Sequence, residues 1–339
     1  MTNGKRSLTA LGIVVVLTMV GISVRASGLW GGKGLSSALC DQDILEAGFT
    51  PWAVMHMMLL TGDQGVLRCG TEDVTCINVL CEDTLFPGPL LERTERGPRV
   101  LGKKAIFRHE LEDHYGQFWA LRAQGLDDHP GTEAGKAWRE CGEELLRLER
   151  SRGGQEQEWL LILGGLAVRN LEAGVLREQV NLATQRVLGD FLAGKNGPDD
   201  SVLACGGMHA MTGIQICMGI DSLDPRLRES CEKVLHTFES EVREYKASDG
   251  YVALPSLHFQ FGEPTPRDYI RVLGHIVEWW SYAQEGRYDS SAIVLRLKES
   301  INDVEGDVAS MRLHSKEVGE LCHALAAVDR LRRRRSLAR

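Results

Sequence analysis

The sequence predicts an all-α fold, and three observations predict it. Apolar residues recur at three- and four-residue spacing through most of the chain, the period of a helix that buries one face. Alternating runs of strand type are few. A polar-plus-aromatic signature also returns roughly every 45–65 residues, as expected of a repeat built from helix pairs. It runs from Trp52 to His56, from His114 through Gln117 and Phe118 to Trp119, and over Glu158 and Trp159. It returns from Cys205 to His209, from His275 through Glu278 to Trp279 and Trp280, and at Cys322 and His323. Each polar group sits in an otherwise apolar helical stretch. Six helices that each carry one polar group on an apolar face predict a closed ring with a polar centre. The expected architecture is a single (α/α)6 toroid following an N-terminal membrane helix.

The elements follow in order. Lys5 and Arg6 precede an uncharged stretch from Leu8 to Val24, closed by Arg25. That is a positive n-region and an apolar h-region, so residues 1–25 are expected to form a signal anchor, favoured over a cleaved signal. Lys5 and Arg6 stay inside, which puts the rest of the chain outside the cytoplasm as a single-pass protein of the cytoplasmic membrane. Residues 26–44 are rich in Gly and Ser and read as a flexible stalk. The toroid is expected over 45–330 and a basic tail over 331–339.

Within the toroid, Pro51 opens a helix over 51–61. Residues 62–105 hold Gly, Pro and charge and read as loop, with one short helix near Cys76–Cys81. Helical patterns follow at 107–124, 133–152, 158–169, 176–192, 205–220, 226–243, from Pro266 past Trp280, 288–305 and 317–334. The apolar helices carry the His or Glu-Trp signature and alternate with more polar ones, as an inner set backed by an outer set requires.

Composition bounds the function. The chain has 339 residues, 43% hydrophobic and 25% charged, with a formal net charge of -8. The acidic balance excludes nucleic acid as the main partner, because phosphate binding needs a basic face. The run from Arg330 to Arg335 is read as a solvated helix end whose arginines complement the dipole, the alternative being contact with anionic lipid. Nine cysteines are an odd number, so at least one has no partner within the chain; Cys69, Cys76 and Cys81 cluster closely enough for one local disulfide.

Several motifs occur together in order: His114, Gln117 and Phe118; Cys205 to His209; Ser248 to Gly250; Gly274 to Trp279; and Cys322 to Leu325. In that combination the chain resembles a group of membrane-anchored bacterial proteins of planctomycete type. The resemblance covers most of residues 50–328. It implies an α/α toroid of the terpenoid cyclase and protein prenyltransferase kind and carries no activity with it. The chain departs from the toroid cyclases in lacking their Asp-rich motifs, so carbocation cyclisation is not expected.

Two chemistries fit the signature residues. Cys205, His209, His275 and either Cys322 or His323 offer the thiolate and imidazole donors that zinc takes. Cys205 and His209 stand four apart, on one helical face. Alternatively, His275 with Glu278, and His114 with Gln117, repeat an i, i+3 pairing suited to acid–base catalysis, the Glu fixing the His tautomer. His56, Trp119, Glu158, Trp159 and Trp279 would line the cavity. Set against both is a structural role, in which buried polar groups tie inner helices together by hydrogen bonds. The expected function is therefore a membrane-anchored protein with a polar central cavity that binds a small molecule, glycan or lipid. The alternatives are a toroid enzyme acting on an isoprenoid or glycan, zinc-dependent or using His and Glu, and a non-catalytic scaffold.

Overall fold

The computed structural model describes residues 33–81, 91–95, 97–100, 115–130, 134–148, 156–171, 174–192, 207–221, 223–244, 265–283, 291–309, 313 and 315–337. These residues form a mostly helical protein with two small antiparallel hairpins. The N-terminal segment read as a membrane anchor lies outside the described residues. No described helix is long and apolar enough to cross a membrane.

The chain opens with α1 (Lys33–Cys40) and α2 (Pro51–Thr61). The first hairpin, β1 (Val66–Cys69) and β2 (Glu72–Thr75), leads into α3 (Cys76–Cys81), and a second hairpin follows, β3 (Leu91–Thr94) and β4 (Gly97–Val100). Nine helices complete the described chain: α4 (Tyr115–Asp128), α5 (Ala134–Leu148), α6 (Glu156–Leu171), α7 (Gly174–Leu192), α8 (Met208–Met218), α9 (Pro225–Glu244), α10 (Pro266–Tyr282), α11 (Ser291–Ala309) and α12 (Ser315–Leu337).

Local signals set the helix ends. The Thr50 hydroxyl accepts from the Ala53 amide, Pro51 takes the first turn, and Gly62 at φ 75 closes α2 with its amide on the Met58 carbonyl. Thr265 and Asp268 form a reciprocal capping box on α10. Both helices are buried almost all round, α2 from Ala53 to Leu60 and α10 from Val272 to Tyr282. A helix apolar on every side must be enclosed by other helices.

The packing supplies that enclosure. Helix α2 packs on α4, α4 on α6, α6 on α8, α8 on α10, α10 on α12, and α12 back on α2. Helices α5, α7, α9 and α11 back four of the six: α5 against α6 and α4, α7 against α6, α9 against α8, and α11 against α10. Side-chain pairs fix the direction of the six. Arg330 late in α12 meets Asp128 at the end of α4 and Ser281 at the end of α10. Arg169, late in α6, meets Asp127. Gly213 of α8 lies against Leu161, and Ile216 further on lies against Gly165, so α8 runs with α6. Gln117 meets His56 and Gly125 meets Met58, so α2 runs with α4. All six therefore run the same way, which brings their signature residues to one level.

Close approach needs small residues at the crossings. A Cβ on Gly125 would stand 2.3 Å from the Met58 carbonyl oxygen, so only glycine lets α2 and α4 come this near.

Four expectations change. Residues 33–44 are not stalk: α1 buries Leu39, Ile44 is buried after it, and Asp43 bridges Arg68. The loop read over 62–105 holds two hairpins besides the short helix at Cys76–Cys81. Cys76 is a free thiol hydrogen-bonded to Thr61, so it takes no part in a local disulfide. Arg330 is not solvated: it is 4% exposed and paired with Asp128, because α12 runs on to Leu337 and carries this turn against the end of α4.

Candidate functional site

Four histidines and one carboxylate meet between the six enclosed helices. His56 comes from α2, His209 from α8, His275 and Glu278 from α10, and His323 from α12. The ring centroids of His209 and His275 lie 4.8 Å apart, those of His275 and His323 4.7 Å, of His209 and His323 5.3 Å, and of His56 and His323 5.0 Å. All five side chains are buried, none more than 2% exposed.

Hydrogen bonds orient part of this group. His56 Nδ1 lies 2.7 Å from the Trp52 carbonyl one turn back. A carbonyl only accepts, so Nδ1 carries the proton and the Nε2 lone pair faces outward. That lone pair meets the Gln117 amide nitrogen at 3.3 Å. His323 Nδ1 lies 3.2 Å from Glu278 Oε2, and the Gln124 side chain donates to Glu278 Oε1 at 2.7 Å. Glu278 is thus held from one side by α4, and its other oxygen faces the His323 ring in a charge contact without hydrogen-bond alignment. His209 packs against the Trp159 ring at 4.1 Å. Among the described residues, His209 Nδ1 and His275 Nε2 meet no hydrogen-bond partner.

Burial sets the charges. Desolvation, and then the neighbouring His323 and His275, hold His56 well below the usual histidine range. Desolvation, then His275 and His323, do the same for His209. His275 falls to about 3, by burial first and the His323 ring second. Burial alone would push the Glu278 carboxyl up; His323 and the other histidines outweigh it and keep the carboxyl below its ordinary value. At neutral pH the group is one carboxylate among imidazoles of which His56, His209 and His275 are neutral, with lone pairs available.

One helical turn or two further along lies a second buried layer. The Arg330 guanidinium bonds both Asp128 oxygens and Ser281 Oγ, and stacks on the Tyr282 ring at 4.2 Å. Arg122 bonds Asp63 and Glu140 and lies over the Trp119 ring at 5.4 Å. These pairs tie α4 to α10, α12 and α5 at the same end of the helices.

The signature residues divide accordingly. His56, Gln117, Trp159, His209, His275, Glu278 and His323 come together. Glu158 is buried one position before Trp159. His114 and Cys205 lie outside the described residues. Cys322 stands apart from the histidines: its thiol meets the Met57 sulfur at 3.5 Å. Adjacent positions on a helix point about 100° apart, so Cys322 and His323 do not face one ion together. Trp119 packs edge-on to Phe118 and under Arg122, and Trp279 packs on Phe238 of α9 at 4.7 Å, so neither ring lines the histidine group. Gln124 was not read from the sequence, although it stands seven residues, two helical turns, after Gln117 and so on its face.

Among the described residues, one group has metal-ligand geometry: His209, His275 and His323 each offer a ring nitrogen, and the three lie within 4.8 Å of one another. No family model, no curated protein and no solved structure matches the chain.

Proposed function

We propose that this chain is a membrane-anchored, extracytoplasmic (α/α)6 toroid whose polar axis binds a small ligand. The observation that carries the reading is the meeting of His56, His209, His275, His323 and Glu278 from four helices at one buried level, with His209 Nδ1 and His275 Nε2 unpartnered among the described residues. A buried polar atom without a partner costs about 1–3 kcal/mol. Apolar side chains of similar volume would fill the same space without that cost. A ligand that takes up these lone pairs gives the polar centre its purpose. The toroid is supported by the cyclic order of packing partners among the six parallel helices and by the outer helices that back four of them. The anchor is supported by the uncharged stretch from Leu8 to Val24 behind Lys5 and Arg6.

A second reading draws on one contact. Glu278, 3.2 Å from His323 and steadied by Gln124, is arranged as a His–Glu acid–base pair for an isoprenoid or glycan substrate. The two readings separate in the Glu278→Gln variant, which abolishes turnover in the catalytic case.

The test is ligand-dependent stabilisation of the full chain in detergent. Divalent metal ions, isoprenoid diphosphates and oligosaccharides are scanned by thermal denaturation. A true ligand at a hundred times its Kd stabilises by about 2.7 kcal/mol. That gain vanishes in a His209→Gln, His275→Gln double variant. No stabilisation by any class, in a chain folded by circular dichroism, means that the polar axis serves as a scaffold only.

A further inference from the structure

The ligand of the polar axis follows from its donors, on the reading of that site just given. His209, His275 and His323 come from three separate helices, yet their nearest ring nitrogens fall within 4.8 Å of one another. Histidines buried for stability alone are expected to hydrogen-bond through both their capacities. Here His209 Nδ1, both ring nitrogens of His275 and His323 Nδ1 are left with none among the described residues. Neutral imidazole nitrogens that converge without partners are what a metal ion consumes.

The surroundings complete the pattern. A metal-bound histidine commonly gives its other N–H to a carboxylate, which fixes the tautomer and raises the basicity of the ligand nitrogen. Glu278 Oε2 stands 3.2 Å from His323 Nδ1, placed to take that role once the ring turns to align its N–H, and Gln124 holds Glu278. This leaves His323 Nε2 as the ligand atom. Burial of an anionic Glu278 among apolar helices is also offset by a divalent cation one residue away.

The donor set selects the metal. Three imidazoles suit borderline divalent ions of the zinc class, whereas calcium and magnesium want oxygen ligands. Among the described residues sulfur does not enter, because Cys322 is turned to Met57. Nor does His56 supply a fourth ligand, since its Nδ1–H donates to the Trp52 carbonyl and its Nε2 faces Gln117. A tetrahedral ion with nitrogens at about 2.0–2.1 Å needs them about 3.3 Å apart, so metal entry draws the three rings inward by about an ångström.

We propose that His209, His275 and His323 form a three-histidine site for a zinc-class divalent ion, with Glu278 as its positioning residue and the fourth coordination position left to water or a small exogenous ligand.

The experiment uses the full, tag-free chain in detergent, stripped by a chelator and dialysed. Zinc binding is measured by calorimetry and metal content, and cobalt(II) is bound as a spectroscopic stand-in. The expected result is one ion per chain, with visible bands of a tetrahedral cobalt site and no thiolate charge-transfer band. Binding is lost in His275→Gln and in His209→Gln. Glu278→Gln weakens it by about 10–100-fold at unchanged stoichiometry. Cys322→Ala keeps one ion per chain, which shows that a folded but altered axis still binds. The proposal is overturned by a folded chain that takes up no ion, by retention of the ion in His209→Gln, His275→Gln, or by its loss in Cys322→Ala. If no metal binds but an organic ligand stabilises the chain, the ligand-binding reading stands and the metal site fails. If nothing binds, both fail.

Discussion

Replacing Arg330 by Met should cost the protein about 2–4 kcal/mol. The guanidinium is 4% exposed. It bonds Asp128 Oδ1 from Nε at 2.8 Å, bonds the second Asp128 oxygen from Nη2, and reaches Ser281 Oγ from Nη1 at 2.8 Å. Methionine keeps the volume and the contact with the Tyr282 ring but leaves Asp128 a buried anion. Removing one partner of a buried pair costs about 3–5 kcal/mol. Arg333 reaches Asp128 Oδ1 at 3.1 Å from a half-buried position and recovers about 1 kcal/mol of that loss. The net loss is a large share of the roughly 5–15 kcal/mol by which domains are stable. Equilibrium unfolding in urea, followed by tryptophan fluorescence, measures it. Asp128→Asn alone should lose a similar amount, and the double variant clearly less than the sum, since the pair acts as a unit. A loss under 1 kcal/mol for Arg330→Met, or strict additivity of the two singles, refutes the view that this pair locks α4 to α12.

Three further outcomes are expected. Gly125→Ala should destabilise by about 1–3 kcal/mol because its Cβ meets the Met58 carbonyl, which no rotamer can move. Gly135→Ala in α5, with nothing within 4 Å of the new methyl, should be neutral or stabilise by up to about 1 kcal/mol; urea midpoints compare the two. Burial pushes the Cys76 and Cys141 thiols up to about 12 from 9.0, so their contribution is complete below pH 9 and lost as pH rises towards 12. The unfolding free energy should fall over that window by about 1.4 kcal/mol per thiol per pH unit, and less in Cys141→Ala. Trp279→Ala should cost about 3–5 kcal/mol by emptying the contact with Phe238 while leaving ligand affinity intact, whereas Trp159→Ala, beside His209, should change affinity as well.

Much of the helical plan was legible because burial imposes a period on sequence. The pattern over 226–243 lies within α9, and that from Pro266 past Trp280 within α10, whose capping residues Thr265 and Asp268 stand in plain view. The hairpins were not legible. Strands of four residues such as Val66–Cys69 bury a single side chain, Leu67, and so leave no alternation to read. Helix α1 hid behind Gly and Ser, although Leu35, Ala38 and Leu39 mark one face. At the site, the residue types were visible but their facing was not. Cys322 and His323 are neighbours in sequence and diverge in space; Glu278 and Trp279 diverge likewise, one towards His323 and one towards Phe238. Asp128 and Arg330 lie 202 residues apart, and no local pattern links them.

X-ray absorption at the zinc edge, on the full chain carrying one equivalent of zinc, tests the polar axis most directly. Three imidazole nitrogens and one further oxygen or nitrogen at about 2.0–2.1 Å are expected, with no heavier scatterer. A sulfur shell at about 2.3 Å, or a shell of six oxygens, would contradict a site built from His209, His275 and His323.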